Sequence, residues 1–272
     1  WFIRDGVLTA NESMSFLKMK KPKGLIFKGP RTPPGSVLEW GFLFEIIEKI
    51  GFCSKWCKWV DSCLKSASIS ILVNCSPTKE FLMERGVRQG DPLSLFLFIL
   101  AAEGLNALIN EAVTKNIFKG VIVGDNQVMV SHLQYADDTI IFSEWSRRNA
   151  RNIMGVLKCY EEVAGLKNNF RKIKLYGVGV ERQKVDNMTR FMRCGVGDFP
   201  FTYLGLSIGV NMWRTLAWNV VIEKFKSRLF EWKSKAISFG GRLTLVKSVI
   251  GSLSLYYFLM FRVPSCVISA LE

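Results

Sequence analysis

The stretch His132-Leu-Gln-Tyr-Ala-Asp-Asp-Thr-Ile-Ile-Phe142 sets two adjacent carboxylates, Asp137 and Asp138, between an aromatic–small pair, Tyr135-Ala136, and an apolar run. The pattern predicts strand, tight turn, strand, because Asp tolerates the backbone angles of a hairpin tip. Two like charges this close resist joint ionisation unless a cation lies between them. Hard Mg2+ prefers carboxylate oxygens and substrate phosphates, so the tip reads as a divalent-metal site with Asp137 and Asp138 as ligands. An ordinary Asp-Asp turn has the same local sequence, and only context separates the two.

That context lies upstream, in Arg85-Gly-Val-Arg-Gln-Gly-Asp-Pro-Leu-Ser94, a polar loop that opens into a long apolar helix from Leu95 to about Val113. Gly86 and Gly90 permit close backbone approach, and Pro92 suits a first helical turn. Asp91 reads as the helix cap. Arg88 and Gln89 are placed to meet a nucleotide or a template strand.

These two blocks resemble the reverse transcriptases of plant non-LTR (LINE-type) retrotransposons, and further blocks follow in that family's order. Gly165-Leu-Lys-Asn-Asn-Phe-Arg-Lys-Ile-Lys174 resembles the lysine-bearing palm motif, and Phe201-Thr-Tyr-Leu-Gly-Leu-Ser-Ile-Gly209 the primer-grip hairpin. Ser238 to Val249 resembles a thumb helix, and Ile3 to Glu12 part of the fingers. The resemblance implies an α+β fold of the right-hand polymerase type: fingers, a palm on an antiparallel sheet, and a helical thumb. Fingers and palm are expected over 1–212 and the thumb over 213–272, both partial.

The implied activity is RNA-directed DNA polymerisation, in which a primer 3′ hydroxyl attacks the α-phosphate of a nucleotide between two metals about 3.5–4 Å apart. By resemblance, Asp137 and Asp138 would hold Mg2+, for which Mn2+ can substitute. Arg88, Gln89, Gly90, Tyr135 and Ala136 would line the nucleotide site. Lys172 or Lys174 would approach the pyrophosphate, and Tyr203, Leu204 and Gly205 would support the primer end. The implied partners are an RNA template, a DNA primer and deoxynucleoside triphosphates, with no membrane. The implied location is intracellular, the nucleus first and the cytoplasm as alternative; oligomeric state is left open.

One departure outweighs the matches. After a strand such as Gly24-Leu-Ile-Phe-Lys28 the family places an apolar residue and then a metal-binding Asp. This chain reads Lys28-Gly-Pro-Arg-Thr-Pro-Pro-Gly35, with Pro30 where that Asp should stand. Pro30, Pro33 and Pro34 each lack a ladder donor, so the central strand is expected to stop at Lys28. Glu39 and Asp61 fall in the next helix and do not replace the acid. Without that carboxylate, several kcal/mol of transition-state stabilisation is lost, roughly three or more decades in rate. The expectation is a defective polymerase, or a nucleic-acid-binding relic. A local frame change accounts for one garbled block between intact flanks: GTG-GAC-CTC-GAA-CGC, coding Val-Asp-Leu-Glu-Arg, read two bases on gives Gly-Pro-Arg-Thr, as at Gly29 to Thr32. Point decay accounts for it equally.

Lys and Arg number 37 against 23 acids, a net charge of +14 that attracts polyanions and steers their approach. Basic runs recur at Lys18–Lys28, Arg147–Arg151, Lys167–Lys174 and Arg214–Lys247; each by itself reads as a solvated face, and together they read as a cleft. The rings of Trp213, Trp218, Phe225, Phe230 and Trp232 have helical spacing and read mostly as core. Helical periodicity runs over Glu39–Leu64, Leu93–Val113, Asn149–Val163 and Thr215–Lys235, and β-rich patterns over Ser68–Asn74, Gly120–Val123, Val128–Leu133 and Phe199–Leu206. The seven cysteines lack zinc spacing and read as reduced, with Cys53 and Cys57 as core residues. The apolar runs Leu93–Ala102 and Leu253–Phe261 are too short to span a bilayer.

Overall fold

The computed structural model describes residues 3–20, 23–30, 38–88, 90–124, 126–136, 138–166, 170, 172–231, 238, 240–241, 244 and 257–271. The chain forms two compact units, one of residues 15–198 and one joining residues 1–14 to 199–272. The expected boundary at 212/213 falls inside the second of these.

The larger unit is built on a five-stranded sheet. Its central strand, β1 (Gly24–Pro30), carries the alternation Leu25, Phe27 on one face and Ile26, Lys28 on the other. Four short strands, β2 (Ser68–Ile69), β3 (Leu72–Val73), β4 (Ser76–Pro77) and β5 (Phe81–Leu82), form two small ladders, so the β-rich segment at Ser68–Asn74 is divided between them. The hairpin β6 (Val121–Val123) and β7 (Val128–Val130) leads into β8 (His132–Tyr135) and β9 (Asp138–Glu144). The segment expected as one strand over Val128–Leu133 breaks at Ser131, whose carbonyl accepts from the N–H of Phe142. With β10 (Lys174–Val178) and β11 (Gly195–Val196), the sheet order is β11-β10-β1-β9-β8, antiparallel except between β10 and β11.

The helix α1 (Ile3–Lys20) precedes β1, and later helices cover one face of the sheet. The helix expected over Glu39–Leu64 is two, α2 (Trp40–Ile50) and α3 (Ser54–Lys65). Gly51 ends α2 at φ 102°, a left-handed cap that favours glycine, and its N–H returns to the last turn. Cys57 is buried on α3 as expected, but Cys53 is exposed: the break puts it at the helix N-cap rather than on the apolar stripe. Next come α4 (Pro92–Thr114), α5 (Arg147–Ala164) and α6 (Arg182–Met192). Phe42, Leu97, Ile153 and Met188 from these helices join Leu25, Phe27, Ile141 and Leu175 of the sheet in one core.

Tyr160 ties three helices together. Its ring is fully buried, meets Phe42 edge-on at 5.8 Å, and its hydroxyl donates to the Ala101 carbonyl at 3.0 Å. Beside it α2 and α4 come so close that a Cβ on Gly104 would lie 2.5 Å from Phe42 Cζ. The apolar run begun at Leu93 continues as helix to Thr114, so α4 is long and apolar enough to cross a membrane by length and composition. Here it is the central core helix, with Leu97, Ala101, Leu105 and Ile109 buried against its neighbours.

In the other unit, β12 (Phe201–Tyr203) and β13 (Leu206–Ile208) form a hairpin. Leu204 and Gly205 at its tip have φ 48° and 83°, the positive pair that a two-residue turn of right-handed twist needs. A short 3-10 turn (Thr215–Trp218) precedes α7 (Asn219–Glu231), and α8 (Ser265–Leu271) follows. Trp218 is buried and donates to the Met212 carbonyl, whereas Trp213 is exposed, because it lies in the turn before the 3-10 segment and outside the helical periodicity. The side chains of Phe225, Phe230 and Trp232 lie outside the described residues, as do the placements of Lys235 and most of 238–249.

Candidate active site

The pairing of β8 with β9 closes a hairpin in which Tyr135 is paired with Asp138, and Ala136 lies in the turn between them. Ala136 has φ 49°, a left-handed conformation that costs an L residue on the order of 1–2 kcal/mol and persists where the surroundings fix it. Asp137 itself lies outside the described residues. The hairpin is anchored on α4 by polar contacts: Gln134 Nε2 donates to the Ala102 carbonyl, and His132 Nε2 meets Asn106 Oδ1, both at 3.0 Å.

Register brings the next element to this tip. β1 runs two residues beyond the expected stop, and Pro30 stands opposite Asp138 on β9. At that point β1 has a partner only on the β9 side, because pairing with β10 ends at Lys28↔Lys174. An edge position of this kind tolerates a residue without an N–H. Directly opposed residues of an antiparallel pair share a face of the sheet. A side chain at position 30 therefore belongs to the face of Asp138, where the family's third carboxylate would be expected.

The same face carries Lys28 and Lys174, opposed across β1 and β10. Lower on it, Ile26, Phe142 and Tyr176 are buried; toward the tip, Asp138 and Lys28 are half-buried and Tyr135 and Lys174 exposed. Burial lowers the pKa of the Lys28 ammonium, the Asp138 carboxylate opposes that, and Lys174 lowers it further. The Tyr176 hydroxyl is raised to about 12, by burial first and then by the Asp198 charge. No site role was read for Lys28 from the sequence, yet alternation along Ile26, Lys28 and position 30 already aligned it with the missing acid.

The remaining expected residues divide. Arg88 and Gly90 are exposed on the loop before α4, and Gln89 lies outside the described residues. Gly86 and Gly90 have φ 77° and 89°, and the Gly86 carbonyl accepts from Trp40 Nε1 while its N–H donates to Leu38 O, fixing the loop to the start of α2. Asp91 caps α4 as expected, its side chain accepting from the Leu93 N–H at 2.9 Å. Asp91→Ala is expected to cost about 1 kcal/mol, read as a melting shift of about 2–4 °C; no shift would show the cap is idle. Lys172 is exposed just before β10. Tyr203, Leu204 and Gly205 belong to the other unit; Tyr203 is buried, so its ring is core, and Tyr257 Oη donates to the Gly205 carbonyl.

Of the expected metal ligands, Asp138 lies among the described residues and Asp137 does not, and position 30 is proline. Among the described residues no three acids, histidines or cysteines gather at one point. Proline offers no ligand at position 30, Glu39 sits at the α2 N-cap, and Asp61 pairs with Lys65 on α3. On its own face Asp138 interacts with the Lys28 ammonium.

Comparison with known proteins agrees with the fold. Residues 37–208 match the family model described as reverse transcriptase (RNA-dependent DNA polymerase). An uncharacterized mitochondrial protein of Arabidopsis thaliana is 41% identical over 68 residues, 25% of this chain and 56% of that protein. The uncharacterized 149 kDa protein of transposon TX1 from Xenopus laevis is 24% identical over 82% of this chain and 17% of its own length. The retrovirus-related Pol polyprotein of the type-2 retrotransposable element R2DM from Drosophila melanogaster is 25% identical over 65% of the chain and 15% of its own length. The chain thus spans about half of the first relative and under a fifth of the other two.

Among solved structures, apo telomerase of Candida tropicalis truncated of its C-terminal domain superposes with TM-score 0.53 at 15% identity, over 76% of this chain and 38% of that one. Telomerase of Candida albicans with the TWJ fragment of telomeric RNA gives 0.52 at 11% identity, over 98% and 44%. Likeness at these identities is one of fold, and the fold is the α+β right-hand polymerase architecture.

Proposed function

The chain belongs to the reverse transcriptase (RNA-dependent DNA polymerase) family, and on that premise we propose that it is the copying module of a non-LTR retroelement whose nucleotidyl-transfer centre is incomplete. It binds template and primer and turns over little or not at all. The observation that carries this reading is the register of Pro30 with Asp138. Two Mg2+ ions would activate the primer hydroxyl and neutralise the leaving pyrophosphate if a third carboxylate joined Asp137 and Asp138. With proline there, that set lacks an oxygen donor at the point where two strands meet.

What the chain's own residues retain is binding. Lys28 and Lys174 lie on the face of Asp138, and the net charge of +14 favours a polyanion there. Burial disfavours the Lys28 ammonium, and the Asp138 carboxylate beside it works the other way. Two of the relatives are transposon and retrotransposable-element proteins and one structural neighbour holds a telomeric RNA fragment, which supports an RNA template as partner.

The test is RNA-templated primer extension with Mg2+ or Mn2+, run beside Asp138→Asn. The chain is expected to extend no faster than the Asn variant, while an RNA–DNA duplex binds both within about threefold, with an affinity that falls steeply with salt. Metal-dependent extension by the chain, lost in the Asn variant, would show a working centre and overturn the reading. Absence of salt-sensitive duplex binding would remove the retained cleft.

A further inference from the structure

In sequence the run Arg147-Arg-Asn-Ala-Arg151 reads as a solvated helix face, but the structure folds it against a second basic cluster. Arg147 and Arg151 stack their guanidinium groups on the Phe191 ring, at 4.8 and 5.8 Å from its centroid. Phe191 lies in the last turn of α6, where Arg190 and Arg193 flank it, both exposed. Arg148 adds a further exposed cation in the first turn of α5, which holds no acid.

This arrangement is unfavourable for the isolated fold. Cations at a helix N-terminus oppose its dipole, and Arg147 and Arg151 repel at i,i+4 spacing. Neighbouring acids do not relieve it: Asp186 and Asp198 pair with Arg182, and Glu181 with Lys184. Among the described residues none of the five arginines has a carboxylate within ion-pair distance. An anion from outside the chain would relieve both effects. A guanidinium stacked on a ring loses little freedom on binding and presents its planar fork to phosphate oxygens, a recognition that lysine would not give.

The helices α5 and α6 bury Ile153, Leu157, Val185 and Met192 against the Leu25–Phe27 face of the sheet, whereas Lys28 and Asp138 belong to the opposite face. We infer that Arg147, Arg148, Arg151, Arg190 and Arg193 form a second nucleic-acid site, for the phosphate backbone of a single strand, on the side of the sheet away from the cleft. It holds a strand that the cleft does not. It stands independently of whether the cleft turns over.

The test compares two four-site variants of the full chain by fluorescence anisotropy, with a single-stranded RNA of about 20 nucleotides. One is Arg147→Gln, Arg151→Gln, Arg190→Gln, Arg193→Gln; the other replaces Lys49, Lys65, Lys115 and Lys184, each already ion-paired, by Gln. Both lose the same charge. The arginine variant is expected to bind about tenfold or more weakly at about 0.1 M salt, with the salt slope reduced by roughly 0.7 for each phosphate left unneutralised, and the lysine variant to stay within about threefold of the parent. Equal losses in both would mean net charge alone, and an unchanged arginine variant would mean no site; either overturns the proposal. Loss of polyglutamate binding with RNA binding intact would make the patch an acidic-protein surface and also overturn it. Should the arginine variant not fold, the same four positions as Lys are expected to keep the salt slope and lose several-fold in affinity; no loss would overturn the stacked-arginine geometry.

Discussion

Pro30→Asp is expected to raise Mg2+-dependent, RNA-templated primer extension by roughly three orders of magnitude or more over the chain as it stands, the rate equivalent of several kcal/mol of transition-state stabilisation. The reasoning is positional. Position 30 is paired with Asp138, so a carboxylate placed there shares its face without any change of register. Strand pairing holds at that point already, and Asp restores a backbone N–H that proline lacks. Gly29 should be kept. A Cβ at position 29 would lie 2.4 Å from Ile173 Cγ1 and 3.2 Å from the Ile173 Cα, an inner side-chain atom and a backbone atom that cannot swing aside. A Val-Asp graft at 29–30 is thus expected to fold less stably than Asp alone, and the single substitution is the cleaner repair. Extension measured in the single variant, with and without Asp138→Asn, decides the matter. A variant that folds and binds duplex but gains no turnover would place the lesion elsewhere.

Tyr160→Ala should be among the most damaging core changes. It removes a fully buried ring, its edge contact with Phe42 and its bond to the Ala101 carbonyl, where α2, α4 and α5 meet. The expected loss is about 3–5 kcal/mol, or a melting temperature lower by about 10 °C. Tyr160→Phe keeps the ring and loses only the hydroxyl bond, so about 1 kcal/mol is expected. Equal effects of the two would mean that the hydroxyl, and not packing, holds the three helices. Since α4 also anchors Gln134 and His132 of the hairpin, loosening this knot should weaken ligand binding at the tip as well.

The site was partly legible because its parts are local. A turn between apolar runs and a capped helix start follow from residues a few positions apart, and Asp91 and the Tyr135–Asp138 tip were readable for that reason, whereas the β-rich segment expected over Phe199–Leu206 is broken by the Leu204-Gly205 turn. Boundaries set by a single backbone angle were harder. Gly51 divides one periodic pattern into α2 and α3, and the pattern on either side carries no trace of the change in direction. Cys53 was misplaced by the same break.

The sequence by itself determined the capped start of α4, the hairpin of β8 and β9, the absence of an acid at position 30 and the excess of positive charge, since composition and short-range patterning record these. Only the tertiary structure decided what those residues face. Strand register set Pro30 across from Asp138 and put Lys28 and Lys174 on the same face, because pairing between strands more than a hundred residues apart fixes which side chains are neighbours. Helix packing likewise brought Arg147 and Arg151 onto Phe191, joining a solvated-looking run to the arginines at the end of α6.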